Sequence, residues 1–206
     1  YNNTGQSCNA PSRMLVPRDK LAAAEAIAAK VTETMVTIGD TADDKTTMGP
    51  VVSKVQWDKI QGLINKGIEE GAKVVCGGAG LPDGIDRGYY VRPTVFSEVN
   101  NNMTVAREEI FGPVLTMIPY DSEEEAIKIA NDTPYGLAGY VQGENIDHAR
   151  QVASKIRAGN IHLNGASGGM DVPFGGFKQS GNGREWGSHG FTDYLEIKAI
   201  EGYSAA

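Results

Sequence analysis

Cysteine is nearly absent from this 206-residue chain, which holds only Cys8 and Cys76. Two unpatterned thiols exclude a disulfide framework and suit a reducing compartment. Histidine is equally sparse: three scattered residues, with no cysteine cluster beside them, give no metal-ligand spacing. Basic charge is short as well, with 19 Lys and Arg against 26 Asp and Glu, a net charge of -7. A protein that tracks nucleic-acid phosphates needs a basic stripe, so that class is excluded. No apolar run approaches the ~18–20 residues needed to cross a bilayer. No basic segment leads into an apolar one, so no secretory signal is visible. The chain opens on Tyr1 rather than Met and is expected to belong to a longer polypeptide. What remains is 40% hydrophobic, enough for one substantial core in a single domain. The expectation is a soluble, cytoplasmic protein.

Periodicity supplies the elements. Leu21, Ala24, Ile27, Ala28, Val31 and Met35 recur at helical spacing and predict an amphipathic helix over 18 to about 36. Pro17 stands just ahead of it, where a missing amide donor costs little. Ile60, Leu63, Ile64, Gly67 and Ile68 mark a second helix, which Gly71 ends in a left-handed turn. Lys73-Val74-Val75-Cys76 reads as a short strand, giving Cys76 a packing role. Residues 79–88 form a turn-rich loop, and 89–96 an extended segment that Pro93 confines to an edge or a break. Further strands are expected at 114–120, 137–141, 161–163 and, by alternation, 195–200. Ser122 with Glu125 fits a capping box opening a helix that runs to Asn131. Ala149, Val152, Ala153 and Ile156 mark the last helix face, closed by Gly159. Helices and strands therefore alternate, the pattern of an α/β chain with a mostly parallel sheet and helices on both faces. In such sheets the binding crevice lies at the carboxyl ends of strands.

Three segments carry reactive or ligand-holding side chains. The first is Gly5-Gln6-Ser7-Cys8-Asn9-Ala10-Pro11-Ser12-Arg13. A thiolate can add to a carbonyl, release hydride and leave a thioester that water cleaves. A free thiol with a pKa of ~8.5 is only slightly ionised at neutral pH, so the site must favour the anion. Residues 8–13 are expected to form a turn near a helix N-terminus, where unpaired amides stabilise negative charge. The Cys8 amide is then placed to donate to a developing oxyanion. By residue type alone, packing as a small hydrophobe is the commoner fate of a cysteine.

The second segment is Glu108-Glu109-Ile110-Phe111-Gly112-Pro113-Val114. A carboxylate accepts both hydroxyls of a ribose, and an aromatic edge packs on a flat heterocycle. By composition alone, an exposed charge pair ahead of a core phenylalanine fits as well. The third is the glycine-dense stretch 165–190. It holds neither a Gly-x-x-x-x-Gly-Lys-Ser/Thr pattern nor a Gly-x-Gly-x-x-Gly opening a helix, so a nucleotide loop is a poor reading. Its glycines suit sharp turns and close approach of backbone to a substrate.

Taken in order, the cysteine run, the Glu-Ile-Phe-Gly-Pro run and Pro173-Phe174-Gly175-Gly176-Phe177-Lys178-Gln179-Ser180-Gly181 resemble one family. It is the NAD(P)-dependent aldehyde dehydrogenase superfamily, in its catalytic domain, and the likeness runs over almost the whole chain. The resemblance implies a partial catalytic domain over residues 1–206, its last strand near 195–200, with the upstream cofactor-binding domain absent. It makes Cys8 the nucleophile and gives Glu109 and Phe111 the nicotinamide ribose and ring. It makes Asn164, Gly165, Ala166, Ser167 and Met170 a substrate-mouth loop, and Phe174 an aromatic wall beside the thiol. Glu185, with Lys178 nearby, would pass protons toward solvent.

The implied reaction turns an aldehyde, NAD(P)+ and water into a carboxylic acid and NAD(P)H. The cofactor, NAD or NADP, is held mostly outside this chain. The implied partners are a small-molecule aldehyde and further copies in a homodimer or homotetramer, with no nucleic acid and no membrane. A CoA-acylating enzyme, a thiol esterase and a non-catalytic relative stay open as alternatives. The family's general base, in a Glu-Leu-Gly-Gly type motif, and its oxyanion asparagine lie upstream of the cysteine. Neither has a counterpart here, so the isolated chain is expected to be inactive.

Overall fold

The computed structural model describes residues 1–202. They form two compact units, one spanning Tyr1–Pro134 and the other beginning at Tyr135.

The first unit is built on a four-stranded sheet. Its strands are β1 (Arg13–Pro17), β2 (Lys73–Cys76), β3 (Thr94–Ser97) and β4 (Val114–Tyr120), in the order β1-β4-β3-β2. β1 and β3 each pair in parallel with β4, whereas β2 pairs antiparallel with β3 across an irregularity between Val74 and Cys76. The sheet is thus mostly parallel, as the alternating pattern predicts. β3 is an inner strand, so Pro93 marks a break at its start and not an edge. β1 was not expected, and its partner lies a hundred residues away in sequence.

Helix α1 (Leu21–Met35) forms where the periodicity places it, yet it contains no buried residue. The second helix, α2 (Lys54–Glu69), is the one that closes the core. Ser53 caps it by accepting from the Gln56 amide at 3.2 Å, satisfying an orphan donor of the first turn. Ile60 and Ile64 are fully buried against Phe96, Val105 and Ile118. Gly67 is required there, since a Cβ would fall 2.8 Å from Val105 Cγ1 and 3.1 Å from the Phe96 ring. Beyond the helix, Gly71 takes the expected left-handed conformation, φ 91°. A single turn, α3 (Thr104–Arg107), and α4 (Glu123–Asn131) complete the unit. Ser122 caps α4 as expected, but the Glu125 carboxylate reaches back to the Asp121 amide at 2.7 Å.

The second unit opens with a parallel strand–helix–strand element: β5 (Ala138–Val141), α5 (Ile146–Lys155) and β6 (Asn160–Leu163). Asn145 caps α5 by accepting from the Asp147 and His148 amides. After β6 the described residues are irregular, with short 3₁₀ turns at Lys178–Ser180 and Ser188–Tyr194. The strand expected over 195–200 is absent; these residues are exposed and without regular structure. Alternation of side chains does not make a strand without a neighbour to pair its backbone, and none of the described residues supplies one.

Candidate active site

Cys8 lies in the first unit, on a loop shaped by left-handed residues. Asn3, Thr4 and Gly5 have φ of 51°, 56° and 71°. Ser7 to Ala10 then close a turn through the Ala10 amide and the Ser7 carbonyl at 2.9 Å, and Cys8 sits exposed at its centre. The helix start expected within 8–13 does not form. Pro11 biases Ala10 away from helical geometry, and the Ser12 carbonyl is taken by both the amide and the hydroxyl of Thr116, at 2.9 and 3.1 Å. Those bonds draw the chain straight into β1.

The Gly-Gln pair ahead of Cys8 has a structural reason. A Cβ on Gly5 would fall 2.1 Å from the Gly112 carbonyl oxygen and 2.9 Å from Pro113 N. The cysteine loop and the Glu109 motif therefore touch backbone to backbone, and only glycine fits between them. Gln6 Oε1 accepts from the Val52 amide at 2.9 Å, and its Nε2 donates to the Asn3 carbonyl. Buried Thr4 donates its hydroxyl to the Gly49 carbonyl at 3.2 Å. Two sequence-distant segments thus hold the loop from below.

The Glu109 motif is held by the start of α2. Gln56 Nε2 donates to the carbonyls of Ile110 and Phe111 at 3.0 and 2.8 Å. Lys59 Nζ donates to the Glu109 carbonyl at 2.7 Å. Ile60 packs under Gly112, where a Cβ would fall 2.5 Å from its Cδ1. Phe111 is thereby fixed at φ 55°, an unfavourable region for a bulky residue. Ile110 and Pro113 are buried, Phe111 is half-buried, and Glu108 and Glu109 are exposed. Gln56 and Lys59 were not singled out from sequence. Their i, i+3 spacing at a capped helix start was the signal, and it looks the same as a solvated face.

Both loops enter the amino ends of the adjacent parallel strands β1 and β4, whereas the general rule for such sheets points to carboxyl ends. In the second unit the loop containing Asn164 follows the carboxyl end of β6. Asn164, Gly165, Ala166, Ser167 and Met170 are all exposed. Phe174 and Glu185 are joined by two backbone bonds of 2.7 Å, and the Phe174 ring lies 5.1 Å from that of Trp186. Lys178 opens its 3₁₀ turn at φ 56°. Arg184 Nη1 donates to the carbonyls of Gly176 and Gly183, with its guanidinium 5.4 Å over the Phe177 ring. A depression of about 780 Å³ in this unit is lined by Phe174, Arg184, Glu185, Trp186, Phe191 and Tyr194, among others. Among the described residues no cluster of three metal-ligating side chains occurs, and no helix is long and apolar enough to cross a membrane.

Known proteins share this arrangement. The chain is 54% identical over 204 residues to a 3-succinoylsemialdehyde-pyridine dehydrogenase of Pseudomonas sp, covering 99% of this chain and 43% of that protein. Its backbone matches aldehyde dehydrogenase C of Pseudomonas syringae, a cysteine-to-alanine mutant in complex with NAD+ and octanal. The TM-score is 0.94 with 55% identity, over 98% of this chain and 42% of that one. An aldehyde dehydrogenase of Mycobacterium tuberculosis complexed with NAD+ matches at a TM-score of 0.91 and 41% identity, again over 42% of its length. The chain thus spans less than half the length of these relatives. With the aldehyde dehydrogenase family model matched over residues 1–200, on a chain that packs its cysteine loop against a Glu-Ile-Phe-Gly-Pro motif, this protein belongs to the aldehyde dehydrogenase family.

Proposed function

We propose that this chain is the catalytic portion of an NAD(P)-dependent aldehyde dehydrogenase, which oxidises an aldehyde to a carboxylic acid through Cys8. The observation that carries the reading is the backbone contact between Gly5 and Gly112. It brings the loop that exposes the thiol against the Glu109 motif, whose residue types suit a nicotinamide riboside.

The residues present fit that cofactor. The Glu109 carboxylate is exposed and its backbone is already held by Lys59; it would accept the ribose hydroxyls. Phe111, locked by Gln56, would pack against the ring. When bound, the nicotinamide accepts the hydride that leaves the substrate carbon.

The chain's own part begins at Cys8. Its thiolate adds to the aldehyde carbon, a C–S bond forms, and the carbonyl electron pair moves to oxygen. The Cys8 amide donates to that oxyanion, as preorganised donors do in acyl transfer. Loss of hydride leaves a thioester on Cys8. Water attacks it, the C–S bond breaks, the sulfur recovers its electron pair, and the acid departs. Glu185 and Lys178 carry the released proton outward, while Asn164, Gly165, Ala166, Ser167, Met170 and Phe174 shape the aldehyde's entry. The chain by itself is proposed not to turn over, since the resembled family takes its water-activating base from a motif that this sequence does not contain. Assembly into dimers or tetramers belongs to the same reading, but pairing through a strand at 195–200 does not.

The test is NADH or NADPH formation across an aldehyde panel by the full-length enzyme, with and without CoA, beside ester cleavage without cofactor. Water-dependent turnover without CoA is expected. Strict CoA dependence would make it an acylating enzyme, and ester cleavage indifferent to nicotinamide would make it a thiol esterase.

A further inference from the structure

The loop after β6 is fixed by two side chains, His162 of the strand and Asn164 just beyond its end. The chain reverses over Asn164-Gly165: the Ala166 amide donates to the Leu163 carbonyl at 2.9 Å. Both central residues have positive φ, 48° and 76°, as a type I′ turn requires. The Asn164 side chain spans to Gly143, accepting from its amide at 2.8 Å and donating to its carbonyl at 2.9 Å. Asn164 is therefore engaged in holding the turn. His162 closes the other side. Its Nδ1 lies 2.9 Å from the Ala166 carbonyl, and its ring stacks on Tyr140 at 4.9 Å and 16°. Its Cε1 would lie 3.9 Å from a Cβ on Gly168. A carbonyl only accepts, so Nδ1 carries the proton and donates whether the ring is neutral or cationic.

We propose that His162 is a positioning residue for aldehyde recognition. From a ring braced on Tyr140 it holds the Ala166 carbonyl, fixes the path of residues 166–170, and so sets which aldehydes the mouth accepts. This rests on the proposed function, which makes that loop the substrate mouth. Two variants of the full-length enzyme separate its two contacts. His162→Phe keeps the stacked ring and loses the donor; His162→Asn keeps a donor near the Nδ1 position and loses the ring.

The Phe variant is expected to raise KM for the preferred aldehyde about 5- to 10-fold, the worth of one hydrogen bond. Its kcat and its KM for the cofactor should change less than about two-fold. The Asn variant should restore the aldehyde KM. Amide hydrogen exchange over 166–170 should follow the same order, fast in Phe and slow in Asn. A Phe variant with unchanged KM and exchange would overturn the proposal. So would aldehyde KM, cofactor KM, kcat and melting temperature all moving together, which would mark a merely structural residue. If the unmutated enzyme oxidised no aldehyde, the selectivity claim would fall with the reaction. The exchange ranking would still decide whether His162 holds the loop.

Discussion

The two units hold their loops by different means. In the first, the Cys8 and Phe111 loops rest on a dry interior: Ile60, Phe96 and Met117 are completely buried, and Ile60 touches the motif directly. In the second, the buried apolar side chains among the described residues are Val141 and Ala149, and the loops hang from polar contacts such as Asn164–Gly143 and Arg184–Gly176. Segments with few buried apolar contacts open at lower free energy than core-backed ones. The proposed chemistry therefore sits on the rigid unit, and the proposed recognition loops on the softer one.

If that division is right, the most damaging change is Cys8→Ala in the full-length enzyme. Turnover should fall by at least about 10³-fold, with the denaturation midpoint unchanged because the thiol is exposed. Next comes Gly5→Ala, which places a methyl on the Gly112 carbonyl in a left-handed conformation. It should cost about 2–4 kcal/mol of stability, read by denaturant unfolding. A cost below the cost of Asn164→Ala would break the contrast between the units. Gln56→Ala removes both donors from the Ile110 and Phe111 carbonyls and should raise the cofactor KM roughly tenfold, leaving the aldehyde KM nearly unchanged. Asn164→Ala sharpens the other side: two bonds to Gly143 go, for about 1–2 kcal/mol, and the aldehyde KM rises instead.

Much of this was legible in sequence because it is local. Ser122 and Asn131 bound a helix, Gly71 ends one, and four strands fall where short apolar runs meet glycine or proline. β1 was not legible, for its existence depends on Thr116 capturing Ser12 and on a register with β4. The reverse error, at 195–200, has the same origin: pairing is a property of two segments. The site divides likewise. Cys8, Glu109 and Phe111 are visible as residue types in a motif. That Gly5 must be glycine because of Gly112, and that Gln56 is what bends Phe111, depends on contacts between distant segments.

The smallest expected effect concerns acid. The Glu70 carboxylate accepts from the Thr104 hydroxyl and amide, both at 2.6 Å. Those bonds, the hydroxyl foremost, hold its pKa below the ordinary carboxylate value. Because the folded value is the lower one, this contribution is complete above ~4.3 and is lost as pH falls through the folded value. Glu70→Gln should therefore lower stability slightly at neutrality and flatten the acid limb, so that the two proteins converge at low pH. An unaltered limb would show that Thr104 does not matter to the first unit's acid tolerance.

The most direct test of the whole account is to quench the full-length enzyme in acid during turnover and map its peptides by mass. The account predicts an acyl group on the peptide containing Cys8, formed only when both aldehyde and NAD(P)+ are present. Steady cofactor reduction with Cys8 unmodified, or an acyl group on Cys76 instead, would contradict it.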